Sequence, residues 1–247
     1  MFVLWLWLLA SVSIANSAED AVPVPQALRT PLLEVSSSVA ESLRTRSYAN
    51  AAKILEAESI IERTGSEKSY AAFVTAYALV RADRAQEAAK YLSMFPTDGS
   101  VPSSYISYVV GAVAFESDDM RKVDMALGSV DTNAAIYPRA ALLHAQALFS
   151  LGRTKEAYAI YQSLADGPLS SDGGAVALLA LVNRAGEGSS EARALMRRIW
   201  TEHPFSTAAV KIQPMLQPDT VKWTVREQSL RTEQLMLASS YVQAMNE

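Results

Sequence analysis

The chain has 247 residues, half of them apolar and 19% charged, a globular composition long enough to bury a substantial core. Its net charge of −4 excludes bulk attraction to nucleic acid or to an anionic membrane. With no cysteine it forms no disulfide, carries no cysteine-linked lipid and has no thiol nucleophile.

Residues 1–18 read as a signal peptide. Phe2 to Ala15 are nearly all apolar, and small residues follow, with cleavage expected after Ala15 or Ala18. The run is shorter than the roughly 20 apolar residues of a membrane-spanning helix. No Lys or Arg precedes it, which leaves an uncleaved anchor as the alternative. Residues 19–31 hold Pro23, Pro25 and Pro31 and read as an extended segment.

Helical patterning begins near Leu32 and fills residues 32–200. Its clearest stretch is Ala141 to Leu164. Leu142, Leu143, Ala145, Leu148 and Phe149 recur at helical spacing, Gly152 ends that helix, and Ala157, Ile160, Tyr161 and Leu164 form the stripe of a second. Equivalent positions recur at Ala88, Val123, Ala157 and Ala192, spaced 35, 34 and 35 residues apart (88 to 123, 123 to 157, 157 to 192). Twelve residues before each stand Ala76, Gly111, Ala145 and Ala180. Four after each stand Leu92, Leu127, Tyr161 and Met196, and seven after stand Phe95, Val130, Leu164 and Ile199. The helix-ending slot five before each holds Asp83, Asp118, Gly152 and Glu187, and a fainter unit surrounds Ala52. This small-small-large-large grid resembles the tetratricopeptide (TPR) pattern, so the expected fold is all-α, a solenoid (superhelix) of TPR-like helical hairpins. Pro96–Pro102, Asp131–Pro138 and Asp166–Gly174 are the expected loops between repeats.

Residues 201–247 break the rhythm with Pro204, Pro214 and Pro218. A short helix is expected over Ala208–Ile212, then a helical pattern from Val221 to Glu247 with Ala244 as a further marker and a turn near Tyr241. Leu235, Leu237, Tyr241, Val242 and Met245 stay apolar to the end, which implies a covering partner or a longer chain.

The block from Ile136 to Pro204, the phrase Trp200-Thr201-Glu202-His203-Pro204-Phe205-Ser206 and the following Arg- and Glu-bearing helix resemble the helical N-terminal part of soluble lytic murein transglycosylases. The resemblance implies a periplasmic address and a role in peptidoglycan turnover. That family's glutamate acts from a C-terminal lysozyme-like domain, which this sequence lacks. The one Glu-Ser pair, Glu116-Ser117, sits at the end of a repeat helix without the family's accompanying segments. Lytic activity is therefore expected only if such a domain belongs to the full protein.

No other pattern carries chemistry. The two histidines, His144 and His203, have no convergent partners in the sequence, and no phosphate-binding loop, G-x-S-x-G or H-E-x-x-H occurs. No catalytic residue, metal or cofactor is expected. Arg193, Arg197 and Arg198 share one helix face and are the candidate contacts for a ligand or partner, the alternative being that the row pairs with nearby carboxylates. Trp200 and Trp223 are read as core, with stacking on sugar rings as the alternative. The expected function is a periplasmic TPR-like scaffold serving peptidoglycan turnover, with a glycan strand as partner. The alternative is a stand-alone cell-envelope adaptor that grips a protein through its TPR groove. Neither reading expects a nucleic-acid partner, or a membrane span once the signal is cleaved.

Overall fold

The structure, a computed structural model, describes residues 36–57, 64–167, 173–186, 188–217 and 221–246, the last nine of these by backbone alone. The expected signal peptide, the extended segment, the start of helical patterning at Leu32, residues 168–172 of the expected Asp166–Gly174 loop, Glu187 and Pro218 lie outside the described residues. Every regular element among the described residues is helical. In chain order they are α1 (Ser37–Arg44), α2 (Tyr48–Ala57), α3 (Gly65–Arg81), α4 (Ala85–Ala88) and a 3₁₀ segment (Ala89–Met94). Then follow α5 (Ser103–Glu116), α6 (Met120–Leu127), α7 (Tyr137–Ser150) and α8 (Thr154–Ala165). The last four are α9 (Gly174–Ala185), α10 (Ser190–Glu202), α11 (Thr207–Leu216) and α12 (Val225–Asn246). The fold class is all-α, of the TPR-like helical-hairpin type. The chain forms two compact units, Met1–Ala140 and Ala141–Glu247, with the boundary inside α7.

One turn makes the hairpins. After α1, α3, α5 and α7 a single residue takes the left-handed conformation: Arg46 (φ 58°), Asp83 (58°), Asp118 (57°) and Gly152 (78°). The next residue's N–H then reaches back five positions to a carbonyl of the last helical turn. These bonds run from Ser47 to Ser42 (2.8 Å), Arg84 to Leu79 (2.9 Å), Asp119 to Ala114 (3.0 Å) and Arg153 to Leu148 (2.9 Å). The left-handed residue itself bonds three positions back, to Leu43, Val80, Phe115 and Phe149. This is the Schellman pattern, which satisfies carbonyls that a helix end otherwise leaves bare. The turn between α9 and α10 differs, with positive φ at Gly186 and Gly188.

Five residues past each left-handed residue the chain is sealed in the core. Ala88, Val123 and Ala157 are 0% exposed, and so is Ala192 in α10. The same spacing from Arg46 falls on Ala51, and both Ala51 and the expected marker Ala52 are 0% exposed. Leu127, Tyr161 and Met196 are buried four residues after their markers, as are Val130, Leu164 and Ile199 seven after. The second repeat, around Ala88, departs from the grid. There Tyr91 is buried while Leu92 and Phe95 are only half-buried. The backbone winds as a 3₁₀ helix from Ala89 on, and three residues per turn bring the third residue, not the fourth, onto the core face. Phe149, expected on the stripe, is 52% exposed and meets Tyr158 edge-on at 6.1 Å between centroids. Ala180 is half-buried. Near Tyr241 there is no turn, because α12 runs unbroken through it.

Gly111 shows why the grid wants small residues. A Cβ there would lie inside the Leu127 side chain, 2.6 Å from its Cγ, so α5 and α6 touch through the missing group. Gly111→Ala is expected to destabilise the chain by about 1–3 kcal/mol in urea denaturation, overcoming the roughly 1 kcal/mol gain in helix propensity. The loss should shrink in a Leu127→Ala background, because the two groups compete for one space. Gly152→Ala should cost about 1–2 kcal/mol, since a Cβ is strained at that φ. Asp118→Gly should raise the melting temperature for the same reason.

Candidate functional site

Within the second unit, α10 carries the three arginines that the sequence singles out. Ser189 caps this helix, its hydroxyl accepting from the Ala192 N–H at 3.0 Å. Arg197 is tied to α12. Its Nε and Nη2 donate to the two Glu227 carboxylate oxygens at 2.7 and 2.5 Å, Nη2 also donates to the Lys222 carbonyl at 3.1 Å, and the guanidinium lies 4.7 Å from the Trp223 ring centre. Arg198 turns the other way. It pairs with Glu202 within its own helix (3.0 Å) and with Asp166 (3.1 Å), and donates to the Ala165 carbonyl (2.7 Å). Arg193 is exposed, with no ion pair to the described residues. Of the three, the structure therefore brings Arg197 and Arg198 into internal networks and leaves Arg193 facing solvent.

A fourth arginine completes the attachment of α12. Arg231 donates to the Trp200 carbonyl and its guanidinium sits 3.9 Å from the Trp200 ring centre. Neither Trp200 nor Trp223 is buried. Both serve as π faces under arginines, which corrects their reading as core. Glu227 also belongs to a capping box. The Glu227 N–H donates to Thr224 Oγ1 (3.3 Å), and the Thr224 N–H donates to Glu227 Oε2 (2.8 Å). The Arg197 hydrogen bonds, aided by those from Thr224, hold the Glu227 carboxyl down to about 2. The sequence signal was present as Thr224-Val225-Arg226-Glu227, four residues that spell a helix start.

A cleft of about 490 Å³ opens beside this network, with Asp166, Arg198, Glu202, Arg226 and Glu233 in its wall. A smaller one of about 270 Å³ shares Arg198, Glu202 and Arg226. Both walls mix charges of either sign. His203 ends α10, and burial pushes its pKa below the ordinary imidazole value. Glu116 is the last residue of α5, and the Ser117 hydroxyl donates to the Val113 carbonyl at 3.0 Å, so the Glu-Ser pair is a helix end. Among the described residues no group of three His, Asp or Glu side chains is placed to hold a metal ion.

The first unit contains a cluster that sequence reading missed. Tyr77 of α3 is its hub. Its ring centre lies 6.3 Å from that of Tyr48, 6.1 Å from Tyr105 and 6.4 Å from Tyr108. Arg81, one turn further along α3, stacks 4.3 Å over the Tyr48 ring and donates to the Tyr77 hydroxyl at 3.1 Å. All four tyrosines are buried, Arg81 half-buried. Burial raises the pKa of Tyr108 and carries that of Tyr105 up to about 12, so both stay protonated donors.

Helical hairpins closed by one repeated turn, with a small residue sealed in the core at a fixed distance beyond it, define a TPR-like repeat protein. The particular family follows from its sequence profile. The N-terminal domain of the ESX-1 secretion system protein EccA1, of type VII secretion (T7SS), matches residues 58–217, and the chain belongs to that family. No curated protein and no solved structure matches the chain.

The match overturns the likeness to lytic murein transglycosylases, and with it the peptidoglycan partner and the lytic role. The periplasmic address falls too, because the family's namesake is a cytosolic secretion component. The physical reason is plain in the Trp200–Ser206 phrase. His203 ends α10 and Ser206 caps α11, its hydroxyl accepting from the Ala209 N–H at 3.1 Å, so the phrase is a stop-and-start signal open to any helical repeat. Small-small-large-large packing is shared in the same way. What survives is the adaptor reading, a helical scaffold that binds protein.

The ionised Glu227 favours the docked α12, and its lowered value fixes the direction of a pH effect. That stabilisation is complete above the unfolded carboxyl value of about 4.3 and is lost as pH falls toward 2. Hydrogen exchange of the α12 amides should therefore accelerate between pH 4.5 and about 2 beyond its intrinsic pH dependence. Glu227→Gln should abolish that extra acceleration and make α12 exchange faster at neutral pH.

Proposed function

We propose that this chain is a protein-binding scaffold of a type VII secretion system, holding a secretion-system protein against its helical hairpins. The observation that carries the reading is the family match over residues 58–217, which spans α3 to α11. On the second unit, contact with the partner falls to Arg193, which is exposed on α10. Arg197 and Arg198 frame that contact by fixing α12 and the end of α8 beside it.

Affinity capture with the tagged full chain in its native host tests the reading. The expected result is specific retention of a type VII secretion component, weakened several-fold by Arg193→Glu with an unchanged thermal melt. Retention of no secretion protein under gentle conditions would end it. Retention unaltered by Arg193→Glu would remove Arg193 while leaving the scaffold reading in place.

A further inference from the structure

The tyrosine cluster of the first unit holds a guanidinium with no carboxylate to neutralise it among the described residues. Arg81 has five N–H donors. Its one hydrogen-bond acceptor among the described residues is the Tyr77 hydroxyl, and no carboxylate lies within ion-pair distance of it. The carbonyls at the end of α3 offer little. Those of Ala78, Leu79 and Val80 already accept from the N–H groups of Ala82, Asp83 and Arg84. The hydroxyls of Tyr48, Tyr105 and Tyr108 make no hydrogen bond among the described residues. A half-buried guanidinium without a carboxylate keeps its full charge beside apolar rings, and an anion brought by a partner would neutralise it. Two other charged groups face the cluster. Asp83 acts on Tyr108 at long range, and Arg139, which has a partner of its own, acts on Tyr77 and Tyr108.

The surplus has a definite chemistry. Stacking on Tyr48 fixes the guanidinium plane and leaves its edge to donate, and a planar fork fits the two oxygens of a carboxylate. A phosphate dianion would need a second uncommitted cation, and Arg139 is engaged. A long polyanion is disfavoured by the chain's own charge of −4. We infer that Arg81, with the tyrosines around it, is a recognition site for a carboxylate borne by an acidic peptide segment of a partner protein. The choice of a protein as carrier rests on the scaffold reading above.

The probe is a fluorescein-labelled peptide of about twelve residues alternating Ser and Glu, with the Ser/Gln peptide as control, read by fluorescence anisotropy on the full chain. The Glu peptide should bind, roughly tenfold more tightly than the Gln peptide, and lose affinity between about 50 and 300 mM salt. Arg81→Gln should weaken it roughly tenfold. Arg81→Lys, which keeps the charge and the fold but not the fork, should fall between. Equal binding of the two peptides, no binding by the wild type, or Glu-peptide binding unchanged in both Arg81 variants would overturn the site. The scaffold reading is judged apart. Partner capture that survives Arg81→Gln would sink this site alone. Glu-peptide binding through Arg81 without any captured secretion protein would leave this site and sink that reading.

Discussion

Everything in this chain hangs on a helix end that must not stay bare. A helix leaves its last carbonyls without partners, and in four successive hairpins the same left-handed residue turns the backbone so that two of them are satisfied at once. That closure fixes the distance from turn to core. The residue five places on is driven into the interior each time, at Ala51, Ala88, Val123 and Ala157. Where the closure is replaced, between α9 and α10, two glycines with positive φ take over and Ala192 is still sealed. The repeat is thus a backbone device first and a side-chain pattern second.

The side chains then follow from how close the helices must come. Gly111 against Leu127 is the tightest case, and the alanines at the equivalent places in α3 and α7 are fully buried. Where the backbone changes its winding, the pattern changes with it. The 3₁₀ segment after Ala88 advances the buried aromatic by one position, to Tyr91. Substituting one geometry for another at constant core thus accounts for the departure from the ideal grid.

These differences explain how far the sequence could be read. The hairpins, their markers and the loops were legible because helical period and chain-breaking residues are local properties. Size and apolarity suggest burial for Trp200 and Trp223, while arginines distant in sequence, Arg231 and Arg197, claim their faces. The tyrosine cluster was invisible because its members come from α2, α3 and α5 and meet only in the folded unit. The family itself was misread for a related reason. Capping serines, prolines after a helix and small core residues are the common grammar of helical repeats, and they do not distinguish one lineage from another.

Glu227 leads to a consequence of a different kind. The same carboxylate starts α12, through Thr224, and fastens it, through Arg197. The start of the helix and one of its two fastenings therefore share a single carboxylate, while Arg231 on Trp200 holds α12 without it. Removing that one carboxylate therefore loosens the first turn of α12 and its hold on α10 together.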